Sequence, residues 1–414
     1  MKNKSLLFII CLLSIQNVYA QKTVFSLRMC IERAQGSSFL FKSEEYEVDA
    51  AQNRYQFELS KTRPQFNIEI SSEQRILKPY HFGQDIALMH IDWALGNFFL
   101  KTAQAARQEQ LIVEAEREQS RLDVSLRAAM LYVNIILQET QTNLLKKRLD
   151  LLNTHYTVAE ALWRMGNRTE IDLLQTEAET VQFKEEIAKL ALNRDNLLQE
   201  LGQLINEKDT QYMALEPFEL DSLCNQPVPQ FIPDLMQNIP MIQRINFQIK
   251  AQEFRTLAVK AEQLPYLSMT GGYMRDADPT GDGNYWQLGA GITFPLYQWN
   301  ATSYKRQASD AHAEALNFKK KEMERDLSIY ILQTQQKLTK LKEVLQLQQK
   351  RIGLTGKASQ LAEANYKAGV MTNLEYLTVQ QQFTETQIAI YETQLTYIMN
   401  LIKFYIITNQ LDKI

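Results

Sequence analysis

Between Gly96 and Gly202 the only glycine is Gly166, and no proline occurs between Pro79 and Pro217. The residues that most readily end a helix are thus confined to one interior point. The stretch before Gly166, about 69 residues, would form a helix about 100 Å long at 1.5 Å per residue. The return arm, Thr169 to Asn206, is shorter. Ordinary globular helices run to about 8–20 residues, so a pattern this long means a coiled coil or a helical assembly. A second hairpin of the same kind runs from about Tyr297 to the end of the chain and turns at Gly369.

The apolar spacing supports that reading. Leu327, Ile331, Thr334, Leu338, Leu341, Leu345, Gln348 and Ile352 step by alternating fours and threes, the period of a left-handed coiled coil. Leu122, Leu126, Ala129, Val133 and Ile136 do the same in the first hairpin, followed by Leu144, Leu145, Leu149 and Leu152. Gly353 and Gly356 interrupt the second long arm and predict a local bend.

Ahead of each hairpin lies a helix and a pair of strands. Helices are expected over Ser26–Ala34 and about Phe39–Thr62, ended by Arg63-Pro64. Gln65 to Ser71 then alternates polar and apolar residues, as a strand with one wet and one apolar face does. A turn-rich piece with Pro79, His81 and Gly83 leads to a second strand, about Ile86–Trp93, which breaks the alternation by placing Ile86 and Leu88 on the polar side. The later pair is clearer. Trp286, Leu288, Ala290, Ile292 and Phe294 share one face, and Gln287, Gly289, Gly291 and Thr293 the other. About ten residues, apolar out and polar in with aromatics at the ends, is the pattern of a transmembrane barrel strand. Four strands cannot close such a barrel, because the smallest need about eight and unpaired edges cannot face lipid. Several chains would have to share one barrel.

Shifting the chain by 201 residues places Ala50 on Ala251, Pro64 on Pro265 and Trp93 on Phe294; a shift of 203 places Gly166 on Gly369, Thr169 on Thr372 and Asp172 on Glu375. The fold class expected is therefore mainly α with a small membrane β part, in two internal repeats, each helix–strand–strand–long helical hairpin. The first spans 21–216, with strands about 65–75 and 85–95 and a hairpin at 97–206. The second spans 241–414, with strands about 266–275 and 285–295 and a hairpin at 297–408. A Pro-rich linker, 217–240, joins them.

Residues 1–20 read as a signal peptide: Lys2 and Lys4, the apolar run Leu6–Ile15, and Val18-Tyr19-Ala20 before the cleavage point. No run of about 18 apolar residues follows, so no transmembrane helix is expected. Lysine plus arginine (45) nearly balances aspartate plus glutamate (48), which gives no reason to expect nucleic acid. Past the signal, Cys30 and Cys224 remain, compatible with one disulfide or with two buried thiols.

Each hairpin turn reads Gly-x-x-Thr-x-x-acid: Gly166, Thr169, Asp172 and Gly369, Thr372, Glu375. Glycine supplies the left-handed exit from one helix, and threonine with the acid forms a capping box on the next. In a ring of chains these carboxylates would gather at the narrow end, where charge filters or gates. No chemistry competes. His81, His90, His155 and His312 show no metal-ligand spacing, and no nucleophile or dinucleotide motif is present. Gly356-Lys357 lacks the glycine of a phosphate loop, and Asp276–Gly281 lacks the closing glutamate of a calcium loop. No enzyme activity, cofactor or metal is expected.

Together these residues resemble the TolC-like outer-membrane efflux family over about Ser26 to Tyr405. The most specific pieces are Tyr366-Lys367-Ala368-Gly369 running into Thr372, Glu375 and Leu377, the Ile292-Thr293-Phe294-Pro295-Leu296 exit, and the prolines Pro64 and Pro265 ahead of the strands. The resemblance implies a homotrimer with a 12-stranded β-barrel in outer-membrane lipid and an α-helical coiled-coil tunnel in the periplasm. It implies an exit duct of a tripartite efflux or secretion system. Tip turns at Gly166, Thr169, Gly369 and Thr372 would dock a periplasmic adaptor (membrane fusion) protein and, through it, an inner-membrane pump. Asp172, Glu375 and Tyr366 are the gate-ring candidates it implies. Ala94 in place of a proline, and Met371 and Thr378 at tip positions that family members fill with charge, depart from the pattern. The alternative is a periplasmic coiled-coil adaptor or bridging protein without a pore, which would carry a compact domain interrupting one hairpin.

Overall fold

The computed structural model describes residues 23–77, 80–210, 213–230, 233–276, 284–294 and 299–413. The signal peptide read at residues 1–20, Pro79, most of the Asp276–Gly281 loop and the Pro295-Leu296 exit lie outside them.

The chain opens with a short strand, β1 (Thr23–Phe25), and two helices, α1 (Leu27–Ser37) and α2 (Phe39–Ser60). Strands β2 (Gln65–Leu77) and β3 (Tyr80–Leu95) lead into the long helix α3 (Asn97–Arg164) and its return α4 (Glu170–Ile205). Strand β4 (Met213–Leu215) and helices α5 (Leu220–Asn225) and α6 (Pro240–Ala261) follow. Then come β5 (Tyr266–Asp276), β6 (Asn284–Thr293), the long helix α7 (Ala301–Lys367) and its return α8 (Asn373–Ile407). Pro64 and Pro265 each stand immediately before a strand, where a ring-locked φ and a missing N–H stop the preceding helix at no cost to the ladder. Among the described residues no helix is long and apolar enough to cross a membrane.

Two units divide the chain. Residues 40–120 and 232–329 form the first to consider, built around an antiparallel four-stranded sheet in the order β2-β3-β5-β6. The ladder between β2 and β3 runs from Gln65↔Asp92 to Leu77↔Tyr80, and it corrects the expected turn-rich piece. Gly83 pairs with Gln74 and His81 with Ile76, so main-chain hydrogen bonding carries both strands past the point where side-chain alternation fades. The Trp93 indole N–H donates to the Thr62 carbonyl at 3.1 Å, tying β3 to the end of α2. Gln252 on α6 donates to Ser309 Oγ on α7 at 2.8 Å.

The other unit comprises residues 1–39, 121–231 and 330–414. Its main core gathers Leu122, Ala129, Val133 and Ile136 of α3, Leu198 and Leu201 of α4, Leu338 of α7, and Leu395, Tyr397 and Leu401 of α8. The expected seam is the buried one: Ile331, Thr334 and Leu338 are buried, and Leu341 and Leu345 pack against the core. Gln348 turns its polar seam position to use, donating to Thr393 Oγ1 at 3.0 Å across α7 and α8. Helix α7 continues through Gly353 and Gly356. A Cβ at Gly353 would meet nothing and one at Gly356 would touch Phe383 at 3.4 Å; each glycine carries an intrinsic helix cost of about 1 kcal/mol.

Residues 217–230 of the segment read as a linker are docked in the same unit. Phe218, Leu220 and Leu223 pack on the core, Lys342 Nζ donates to the Gln226 carbonyl at 2.8 Å, and Gln335 donates to the Pro229 carbonyl at 2.8 Å. Pro227 and Pro229 keep the chain out of a helix after α5, which leaves these carbonyls free to accept. Strands β1 and β4 pair in parallel, a sheet too short to show in periodicity. Tyr132 Oη donates to the Glu216 carbonyl at 2.6 Å beside that sheet. Cys30 and Cys224 are free, buried thiols, not a disulfide.

Candidate functional site at the hairpin tips

Both tip turns have the geometry their glycines require. Gly166 has φ +75° and Gly369 φ +74°, a region costly for any residue with a Cβ. Gly166 N–H donates to the Trp163 carbonyl and Asn167 N–H to Leu162; Gly369 N–H donates to Tyr366 and Val370 N–H to Asn365. These paired bonds close the ends of α3 and α7 in the same left-handed motif.

The acids then start the return helices. The Thr372 N–H donates to Glu375 Oε2 at 2.9 Å, and Thr372 Oγ1 accepts from the Glu375 N–H at 3.3 Å. The Thr372 N–H, together with Thr372 Oγ1 donating to Glu375 Oε2 at 2.8 Å, holds the Glu375 carboxyl below its usual range. In the first turn the Thr169 N–H donates to Asp172 Oδ2 at 3.2 Å. Both carboxylates proposed from sequence for a gate are thus engaged in capping within their own chain.

Beneath the turns the two hairpins of one chain are joined by a polar and aromatic cluster. Asn373, the first residue of α8, is 0% exposed. Its Oδ1 lies 2.8 Å from His155 Nε2 on α3, and its Nδ2 donates to the Asp172 carbonyl on α4 at 3.0 Å. The His155 ring stacks on Tyr376 at 4.1 Å between centroids and lies 4.6 Å from Tyr366. Arg168, in the first turn, donates to the Met371 carbonyl in the second at 2.8 Å and covers the Tyr366 ring at 4.8 Å. About two turns deeper, Arg148 Nη1 reaches Gln380 Oε1 and Nη2 reaches Glu179 Oε1, each at 3.4 Å, while Gln380 accepts from Ser359 Oγ at 2.9 Å. Tyr366 is buried inside this cluster within its own chain.

The sheet supplies a second site of contact with the surroundings. Phe66, Ile68, Ile70, Trp286, Leu288, Ile292 and Phe294 are all exposed, Leu288 at 89% and Ile70 at 81%. Among the described residues, strands β2 and β6 each pair on one side only. An apolar face of that size, on an open antiparallel sheet, has no place in water.

Residues 231–409 match the model of the outer membrane efflux protein family. That match takes in α6, β5, β6, α7 and α8. Solved channels of low identity share the fold of this chain over almost its whole length. CusC, whose crystal structures concern folding and transmembrane channel formation, aligns with a TM-score of 0.85 at 16% identity, covering 92% of this chain and 91% of its own. The CmeC outer membrane channel of Campylobacter jejuni aligns at 0.80 and 15%, covering 93% and 85%. The outer membrane protein VceC of Vibrio cholerae aligns at 0.81 and 14%, covering 92% and 96%. No curated protein matches the sequence. The second half of the chain is thus similar to the outer membrane efflux family, and nearly the whole chain shares the fold of these channels.

Sequence reasoning named the turn residues and missed the cluster they cap. His155 was set aside for want of ligand spacing, and Arg148, Glu179, Asn373 and Gln380 carry no motif. The available signal was their period: Arg148, Leu152 and His155 continue the apolar stripe of α3, and a cation and a histidine on a buried stripe demand partners. Among the described residues no group of three His, Cys, Asp or Glu side chains is placed to hold a metal ion.

Proposed function

We propose that three copies of this chain form one exit duct, and that the duct takes cargo from an inner-membrane pump through a periplasmic adaptor. The observation that carries the trimer is the sheet: four strands, two unpaired edges and an exposed apolar face. Closure with copies of itself abolishes the edges, and three copies supply 12 strands, a size at which a membrane barrel encloses an aqueous lumen. Gln65, Asn67, Glu69, Gln287 and Thr293 would line that lumen, and the two halves of the chain would contribute as structural repeats.

Coupling to a pump is read from the tips. Met165, Val370 and Leu374 are exposed apolar residues on and beside the turns Gly166–Thr169 and Gly369–Thr372, at the end of the helices farthest in sequence from the strands. Such residues suit a helical hairpin of a partner docking end-on. Asp172 and Glu375 are proposed to face neighbouring copies around the narrow end while capping their own helices. The energy would come from the pump, because the chain carries no nucleotide motif.

The test is in-cell photocrosslinking from Met165 and Val370 together with heat-modifiable electrophoresis of the outer membrane fraction. Trimers plus an adaptor captured at both positions support the duct. Monomers outside the outer membrane, with no adaptor captured, overturn it.

A further inference from the structure

We propose that His155 is a proton-operated latch that joins the two tip turns of one chain and releases them in mild acid. The link to channel opening rests on the duct reading above; the latch itself does not.

His155 sits near the tip end of α3 and contacts the other hairpin through its ring and its Nε2. Tyr376 stacks on it at 4.1 Å, Tyr366 flanks it at 4.6 Å, and Nε2 lies 2.8 Å from Asn373 Oδ1. The proton can be placed. Asn373 Nδ2 faces the Asp172 carbonyl at 3.0 Å, and a carbonyl only accepts. The amide oxygen therefore points at His155, and Nε2 carries the hydrogen. Asn373 thus bonds α3 and α4 at once, so that the neutral imidazole, the amide and the Asp172 carbonyl form one satisfied chain.

A second proton puts a cation into this site. Arg148 on the same helix and Arg168 in the first turn both act against it, and burial acts more strongly than either. Glu363 on α7 acts in its favour, but its carboxylate is paired with Lys367 at 2.7 Å. Asp172 and Glu375 are committed to the caps, and Glu179 on α4 is paired with Arg148. No carboxylate is left to hold an imidazolium in place. Packing holds His155 below its ordinary range, so the loosened form binds the proton better than the latched one. The latch is full above about pH 6.5 and weakens as pH falls below it, by up to tenfold in the opening equilibrium per pH unit. Glu179, pushed up by burial, responds in the opposite sense: acid favours its buried form. The direction of the response therefore tells the two groups apart.

Hydrogen exchange on the full-length protein in detergent, at about pH 7.5 and about pH 5 and corrected for intrinsic rates, tests the latch. Acid should lower protection of peptides over 148–180 and 359–380 about tenfold or more relative to 122–136. His155→Phe, which keeps a stacked ring but takes no proton, should abolish that loss, as should His155→Gln, which keeps a donor toward Asn373. Should the phenylalanine variant lack wild-type protection at neutral pH, the glutamine variant decides. No acid loss in the wild type, or an undiminished loss in a variant that is native-like at neutral pH, overturns the latch. Planar-bilayer conductance then separates the two claims: acid release without a rise in conductance overturns the gating link, not the latch.

Discussion

The Arg148 guanidinium and the Glu179 carboxylate meet at 3.4 Å with 4% and 17% of their side chains exposed, joining α3 to α4 inside the tip cluster. Burial outweighs the attraction and raises the Glu179 pKa. Arg148→Ala would strand Glu179 and Gln380 together, so local stability of the tips should fall by about 3–5 kcal/mol in native-state hydrogen exchange. Glu179→Gln leaves Arg148 an acceptor and should cost about 1 kcal/mol or less. The sign with pH follows from the raised value. The wild type loses stability as pH climbs from about 4.5 through the raised pKa, whereas the glutamine variant does not, so the variant should compare better at pH 8 than at pH 5.

Asn373→Ala should be among the most damaging single changes at the tips. It removes the shared partner of His155 Nε2 and the Asp172 carbonyl at a fully buried position. The Asp172 carbonyl keeps its bond from Thr176 Oγ1 at 2.9 Å, so the one unsatisfied group, His155 Nε2, predicts a loss of about 1–3 kcal/mol. Tip peptides should exchange faster while the core around Leu338 and Leu401 stays protected.

The two faces of the sheet should respond oppositely to charge. Leu288→Lys places an ammonium on the exposed apolar face, at a cost of about 2–4 kcal/mol if it meets the middle of a bilayer. Gln287→Lys, one residue away on the other face, should be tolerated. Outer-membrane yield of heat-modifiable oligomers measures both, and equal effects would refute a lipid-facing assignment.

Cys30 and Cys224 should be inert in the folded protein. Burial raises their thiol pKa values to about 12 and about 11, which leaves almost no thiolate at neutral pH. Maleimide should label neither until denaturant is added, and reductant should leave mobility and stability unchanged.

What the sequence determined alone is everything governed by neighbours a few residues apart. The scarcity of glycine and proline set the lengths of α3 and α7, Gly166 and Gly369 set the turns, and Thr372 with Glu375 set the cap. The 3.5-residue period picked out Ile331, Thr334 and Leu338 as the buried seam, and the two-residue period picked out Trp286, Leu288 and Ile292 as the apolar face. Each follows from backbone sterics or from a fixed angle per residue, and neither needs knowledge of a partner.

Only the tertiary structure decided what those surfaces meet. His155 and Asn373 stand 218 residues apart, and no local rule pairs them. Tyr366 lies in a motif read as a gate, yet packing with His155 and Arg168 buries it in its own chain. The ladder between β2 and β3 outran the side-chain pattern because main-chain hydrogen bonds do not depend on which side chains flank them. Gly353 and Gly356 lie inside the helix because a cost of about 1 kcal/mol per glycine is small against a helix of 67 residues. Periodicity says which face of a helix is buried, and only the packing of one hairpin against the other says against whom.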